Sequence, residues 1–198
     1  NRRINMRVAV IVFPGSNCDN DAYNIFKNAM NLDTEFIWHK DNDLSGFDMI
    51  FIPGGFSYGD YLRAGAIAKF SPIMNEVKLA AKVGKLVMGV CNGFQVLVES
   101  ELLPGSLITN KNVKFLSRNV DLKVESISNR FTSGLENGTM LKMPIAHKQG
   151  NYIATDTQVR ELWDNQQVAF SYSSNYNGSI DSIAGITNLN GNVLGMMP

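Results

Sequence analysis

The chain has 198 residues, 44% of them apolar and 18% charged, enough to bury one sizeable core and short for two full domains. Its 18 basic residues balance 18 acidic ones, which excludes a general electrostatic attraction for nucleic acid or an anionic membrane, so a ligand has to be recognised locally. No apolar run approaches the roughly 20 residues of a bilayer span, no signal-peptide pattern follows Asn1-Arg2-Arg3-Ile4-Asn5, and the two cysteines, Cys18 and Cys91, have no metal-type spacing. A cytoplasmic protein with reduced thiols is the expectation.

The first element is an apolar, β-branched run from Arg7 to Phe13, the pattern of a strand buried on both faces. Pro14-Gly15-Ser16-Asn17 breaks it, and a helix is predicted over Asp19 to Met30, then strands over Thr34 to His39 and Phe47 to Ile52. Pro53-Gly54-Gly55 makes a second break. A helix from Pro72 to Val83 stops at Gly84, a strand follows over Lys85 to Val90, and a helix over Asn92 to Ser100. Repeated β-α units of this length imply an open, mostly parallel sheet of flavodoxin-like or Rossmann-like type, flanked by helices. Beyond Pro104-Gly105 the runs shorten to Leu116–Glu125, Gln167–Tyr172, Ile183–Thr187 and Val193–Met196, and Asn-Gly pairs start at 137, 177 and 190. Asn-Gly favours tight hairpins, so the second half is expected to add antiparallel or mixed strands to an α/β fold. No linker, repeat or low-complexity tract divides the chain. The formal glycosylation patterns at Asn137 and Asn177 read as turns.

The segment richest in chemistry is Lys85 to Gln95, where a buried strand runs through Gly89-Val90-Cys91-Asn92-Gly93 directly into a helix. This is a nucleophile elbow: the nucleophile sits in strained backbone at the carboxyl end of a strand, and the small flanking residues relieve crowding between strand and helix. A thiol at a helix N-terminus is expected to be acidified by the helix dipole. Cys91 read alone is equally compatible with a small buried residue at a strand end.

A second segment, Phe51-Ile52-Pro53-Gly54-Gly55-Phe56-Ser57-Tyr58-Gly59-Asp60, puts a glycine-rich loop at the carboxyl end of the neighbouring strand, where open α/β sheets place their ligands. Acyl transfer needs two donors aimed at the developing oxyanion; the N–H of Asn92 and an N–H of this loop, that of Gly55, are the candidates. The competing readings are a plain turn or a phosphate cradle. Against the latter, Gly84-Lys85 is followed by Leu86, so there is no Walker A motif, and no dinucleotide fingerprint follows the first strand.

With both segments in view, the chain resembles the glutaminase subunits of phosphoribosylformylglycinamidine synthases, the PurQ type of class I glutamine amidotransferase. The resemblance rests on Val12-Phe13-Pro14-Gly15-Ser16-Asn17-Cys18-Asp19, on Pro53 to Arg63, on Gly89-Val90-Cys91-Asn92-Gly93-Phe94-Gln95, on Pro144-Ile145-Ala146-His147 and on Gly191 to Pro198. These five blocks keep the family's order along nearly the whole chain. It implies a single class I glutamine amidotransferase domain over 6–198, preceded at 1–5 by a remnant outside the family-like start at Met6. It further implies that Cys91 forms a thioester with glutamine, that Gly54 and Gln95 help hold that substrate, and that the ammonia released passes to a synthetase subunit, with a small accessory subunit in the same complex. ATP and Mg would belong to the synthetase; no cofactor is expected in this chain.

A cysteine nucleophile also needs an imidazole, and the sequence contains two histidines, His39 and His147. The resemblance puts the catalytic pair in a His-Pro-Glu directly after Gly-Met-Met-Pro, that is, beyond Pro198, so the domain is expected to be truncated there. His39, at a strand end, reads as structural. His147 reads either as a site-lining, substrate-binding or interface residue or as a satisfied structural histidine. After it the sequence has Lys148-Gln149 where the family has Gly-Glu. Cys18 reads as a small residue in a turn, mildly acidified at a helix start. Two other functions compete with the glutaminase: a non-catalytic protein that stabilises a partner on the same scaffold, and a DJ-1/PfpI-like cysteine enzyme, against which the Gly-Gly-Phe-Ser-Tyr-Gly-Asp loop argues.

Overall fold

The computed structural model describes residues 6–198; the remnant expected at 1–5 lies outside the described residues. The first half alternates strands and helices as the apolar periodicity predicts: β1 (Arg7–Val12), α1 (Asp19–Asn24), β2 (Asp33–Trp38), β3 (Met49–Ile52), α2 (Ile73–Lys82), β4 (Leu86–Val90) and α3 (Asn92–Glu99). The helix expected as one piece over Asp19 to Met30 changes pitch, continuing from α1 as a π-helical turn over Ile25–Ala29.

Beyond α3 come β5 (Ser106–Ile108), β6 (Leu116–Val124), β7 (Met140–His147), β8 (Asn151–Ile153), α4 (Asp156–Asp164), β9 (Val168–Tyr172), β10 (Ile183–Thr187) and β11 (Val193–Met196). Of these, β5, β7, β8 and α4 have no counterpart among the predicted runs. Strand β7 mixes exposed, intermediate and buried residues along its length because only one face is covered, and α4 is short, with only Val159 and Leu162 buried.

Nine strands form one sheet in the order β2-β1-β3-β4-β11-β10-β9-β6-β7. The pairs from β2 to β11 are parallel and those from β11 to β7 antiparallel, so the expected change from parallel to antiparallel occurs at β11. This last strand in sequence inserts beside β4, with Gly195 opposite Gly89 and Met196 opposite Val90. A separate antiparallel pair joins β5 and β8.

Asn190-Gly191 closes the β10–β11 hairpin as expected, with Asn188 N–H donating to the Val193 carbonyl. Asn177-Gly178 does not make a hairpin. Asn177 is fully buried, and its amide donates to the Gly150 carbonyl while its Oδ1 accepts from Ser179 N–H. A tertiary hydrogen-bond demand overrides the local turn propensity there.

The core lies between the sheet and its helices. In α3 every residue from Asn92 to Val98 is buried, so this helix is not amphipathic in the usual sense and is held on all sides. Phe94, Val96 and Leu97 pack with Ile50, Ile52 and Val87 of the sheet and with Tyr152, each large apolar side chain contributing about 1.5–3 kcal/mol by burial.

Candidate active site

The β4–α3 junction has the geometry of an elbow. Cys91 occupies left-handed backbone (φ 53°, ψ −108°) between the last residue of β4 and the first of α3. Such a conformation costs an L-residue of order 1–3 kcal/mol and persists only where its surroundings enforce it. Here the enforcement is visible. Cys91 N–H donates to the Met196 carbonyl at 2.8 Å, tying the elbow to β11, and a Cβ on Gly93 would collide with the Ile52 carbonyl. The expectation that small residues flank the cysteine because strand and helix meet closely therefore has a definite steric basis.

The glycine-rich loop after β3 lies against this elbow. Gly55 has φ 134°, and a Cβ there would press on Asn17 N and Ser16, since Ser16 and Gly55 form a short antiparallel bridge. Phe56 N–H donates to the Gly15 carbonyl and Cys18 N–H to the Gly54 carbonyl; among the described residues the Gly55 N–H enters no backbone hydrogen bond. A Cβ on Gly54 would come into contact with both Cys18 Sγ and Cys91 Cβ.

Two anchors fix the loop. Ser57 N–H donates to Asn92 Oδ1 at 3.0 Å, a direct tie to the first turn of α3. The Tyr58 hydroxyl lies 2.8 Å from His39 Nδ1 and 2.7 Å from Ser71 Oγ, with the His39 ring edge-on to Tyr58. Tyr58, Asp60 and Leu62 all have positive φ, so the loop is a strained segment held by these contacts. His39, read as structural, is buried in this network, and burial pushes its pKa down.

Two cavities open on Cys91. The larger, about 440 Å³, is mostly apolar and is walled by Cys18, Gly54, Gly55, Phe115, Met197 and Pro198 among others. The smaller, about 290 Å³, is lined by Asp60, Gln95, His147 and Lys148 together with Gly55 and Cys91 among others. All six residues singled out from the sequence, Cys91, Gly54, Gly55, Asn92, Gln95 and His147, thus converge on one place although they come from three separate segments.

Their individual settings differ. The Gln95 carboxamide is engaged within the protein: its Nε2 donates to the Gln149 carbonyl at 2.7 Å and its Oε1 accepts from Asn92 Nδ2 at 2.9 Å. It therefore forms and fixes a wall of the smaller cavity. The ring of His147 is packed against Gly150 and is 3% exposed. Its Nδ1 lies 3.2 Å from Asn110 Oδ1, whereas Nε2 is buried without a partner. Burial lowers its pKa to about 4, so the imidazole is neutral at pH 7. Asn110 gathers the whole 147–150 loop, donating to the His147 carbonyl and accepting from Gly150 N–H.

The thiol itself corrects an expectation. Burial pushes the Cys91 pKa up to about 11, and although the Asn92 N–H pulls in the other direction, the cost of placing a charge in this partly exposed but enclosed position dominates. The helix N-terminus alone does not acidify it. Cys18 is likewise raised rather than mildly acidified, by burial first and then by Asp21 and Asp19. Cys91 Sγ–H points to the Ala146 carbonyl at 3.7 Å, a contact that no sequence signal marked. Two further residues escape a reading of the sequence as site components: Asp60, although it lies within a quoted motif, and Asn110, which belongs to no motif.

A positioned thiol, two N–H groups at the elbow and loop, and a cavity with polar side chains in its lining are the equipment of acyl transfer. Among the described residues no group of His, Cys, Asp and Glu is placed to hold a metal ion, and no helix is long and apolar enough to cross a membrane. The model of the CobB/CobQ-like glutamine amidotransferase domain family matches residues 5–198. A chain in the structure of PurLQS from Thermotoga maritima is 42% identical, with 98% of this chain and 87% of that one covered and a TM-score of 0.90. A second protein of Thermotoga maritima, a glutamine amidotransferase (16% identity, 98% and 75% covered, TM-score 0.61), shares the fold. So does the glutaminase domain of Trypanosoma brucei CTPS with bound acivicin (13% identity, 96% and 84% covered, TM-score 0.59).

Proposed function

The chain belongs to the CobB/CobQ-like glutamine amidotransferase domain family, and from that premise we propose that it is the glutaminase subunit of a phosphoribosylformylglycinamidine synthase of purine biosynthesis, hydrolysing glutamine through a thioester on Cys91. The family membership sets aside the DJ-1/PfpI-like reading. The identity to a chain of PurLQS supports a synthetase partner; on this reading ATP and Mg would be bound by that partner, and a small accessory protein would stand beside it.

The observation that carries the mechanism is the strained Cys91 backbone at the head of α3, beside a glycine-rich loop whose Gly55 N–H enters no backbone hydrogen bond among the described residues. In the first step the sulfur bonds to the side-chain carboxamide carbon of glutamine and the carbonyl π pair moves onto oxygen. The Asn92 and Gly55 N–H groups stabilise that oxyanion; one such donor is worth about 2.7–4 kcal/mol. Collapse expels the nitrogen, which takes a proton and leaves as ammonia, and water then cleaves the thioester to give glutamate and the free thiol.

A thiol with a pKa of about 11 requires a base at hand. Neither described histidine is bonded to it: His147 is turned to Asn110 and His39 to Tyr58 and Ser71. Met197 and Pro198 line the larger cavity with Cys91. The family pattern supplies the base as the histidine of a His-Pro-Glu, whose imidazolium would also supply the positive charge that lowers the thiol pKa.

The test is Cys91→Ala in the full chain with its synthetase. Ammonia release from glutamine should fall to background, while assembly of the complex and synthesis from added ammonium salt persist. Glutaminase activity surviving in this variant would overturn the mechanism.

A further inference from the structure

We infer that the carboxylate of Asp60 is the counter-ion for the α-ammonium group of the substrate glutamine, making it the residue that selects the free amino acid. The inference rests on the glutaminase reading above and adds to it a recognition group outside the reacting atoms.

Asp60 lines the smaller cavity together with Cys91 and Gln95. Its only described hydrogen bond is to Asn92 Nδ2 at 3.3 Å, a long contact that leaves most of its acceptor capacity free. Among the described residues it has no ion-pair partner. The nearest cation in sequence, Arg63, is committed to both oxygens of Glu99. A half-buried anion without a cation is unfavourable, and burial accordingly raises its pKa to about 6.

The chain holds it there regardless. Asp60 has φ 54°, in a loop pinned at Ser57 and Tyr58. Strain of this kind at a cavity wall marks residues placed for a ligand. The missing cation is supplied by the substrate. When the carboxamide carbon of glutamine meets Cys91 Sγ, its α-carbon lies a few bonds away in the cavity that Cys91, Asp60 and Lys148 all line. Asp60 and Lys148 give that lining one charge of each sign, matching the ammonium and carboxylate of a free amino acid. A glutamine within a peptide lacks both charges.

The decisive comparison uses glutamine and 4-carbamoylbutanoate, the same molecule without the α-amino group. Asp60→Asn keeps size and the acceptor for Asn92, and Asn tolerates left-handed backbone, so the variant should fold. Calorimetric titrations are made on the full chain in complex with its synthetase, in the Cys91→Ala background to prevent turnover. Adding Asp60→Asn should weaken glutamine roughly 10- to 100-fold, the range of a charge-assisted hydrogen bond, and leave 4-carbamoylbutanoate unchanged. With Cys91 intact, the loss in kcat/KM for glutamine should fall mainly on KM. Equal weakening of both ligands, or undiminished glutamine binding, would overturn the assignment to Asp60. Glutamine bound in this Asp60-dependent way but never hydrolysed by the Cys91-containing complex would instead overturn the glutaminase reading and leave Asp60 standing.

Discussion

His147 is a titratable group buried in its neutral form. Its ring is enclosed, its Nε2 has no partner, and its pKa lies near 4, whereas an unfolded histidine titrates near about 6.5. As pH falls, the unfolded chain therefore takes up the proton first. The stability that neutral burial preserves is complete above about pH 6.5 and is lost progressively toward pH 4, by roughly 3 kcal/mol in all. Urea unfolding at pH 7 and pH 4.5 should show this loss in the wild type and a smaller one in His147→Asn; identical pH slopes would mean that His147 is not the group responsible. Desolvation of this kind also limits what a single residue reveals in sequence. Cys91 is identifiable because its neighbours are glycines at fixed offsets, but its pKa is not, since it depends on what the fold packs around the sulfur. Asp60 stands in plain view within its motif, and only its half-buried place on the cavity, without an ion pair among the described residues, gives it a role.

The glycine-rich loop behaves as an element of its own, anchored at three side chains distant in sequence: His39, Ser71 and Asn92. Removing the hydroxyl in Tyr58→Phe should cost only about 1 kcal/mol of global stability, because His39 Nδ1 and Ser71 Oγ are already 3.2 Å apart and can satisfy each other. The cost should appear in the site, where a loosened Gly55 N–H lowers kcat for glutamine by roughly tenfold or more without a matching loss of melting temperature. The elements most legible in the sequence are those with a strong signal, such as β1, β3 and β4, apolar runs with little exposure on either face. Those without a sequence signal have weak patterns. Strand β7 has one covered face. Helix α4 is marked only by Thr155-x-x-Gln158, which forms a capping box in which Thr155 and Gln158 satisfy each other's backbone N–H.

At the scale of the whole molecule, closure depends on β11, the last strand in sequence, entering the sheet beside β4. Asn192, fully buried, secures this insertion: its Nδ2 donates to the Ala81 carbonyl at 2.9 Å and to the Lys85 carbonyl at 2.8 Å, and its Oδ1 accepts from Asn188. Asn192→Ala removes these bonds, leaving the Lys85 carbonyl without this donor while the Ala81 carbonyl keeps the Gly84 N–H, at a cost of about 2–3 kcal/mol. Because Cys91 N–H is held by Met196 of the same strand, the variant should lose glutaminase activity and melting temperature together, in contrast to Tyr58→Phe. Retention of full stability would show that β11 is held by its ladder alone.

By itself the sequence determined the α/β class, the change from parallel to antiparallel strands, the elbow cysteine and the glycine loop, because each of these is written in residues that are neighbours along the chain: period, turn chemistry and small residues at close approaches. Tertiary structure alone decided the charge state of Cys91, the neutrality of His147, the isolation of Asp60 and the place of β11 in the sheet. These are properties of surroundings assembled from segments up to 111 residues apart. Solvation, ion pairing and strand order come into being only when such segments meet.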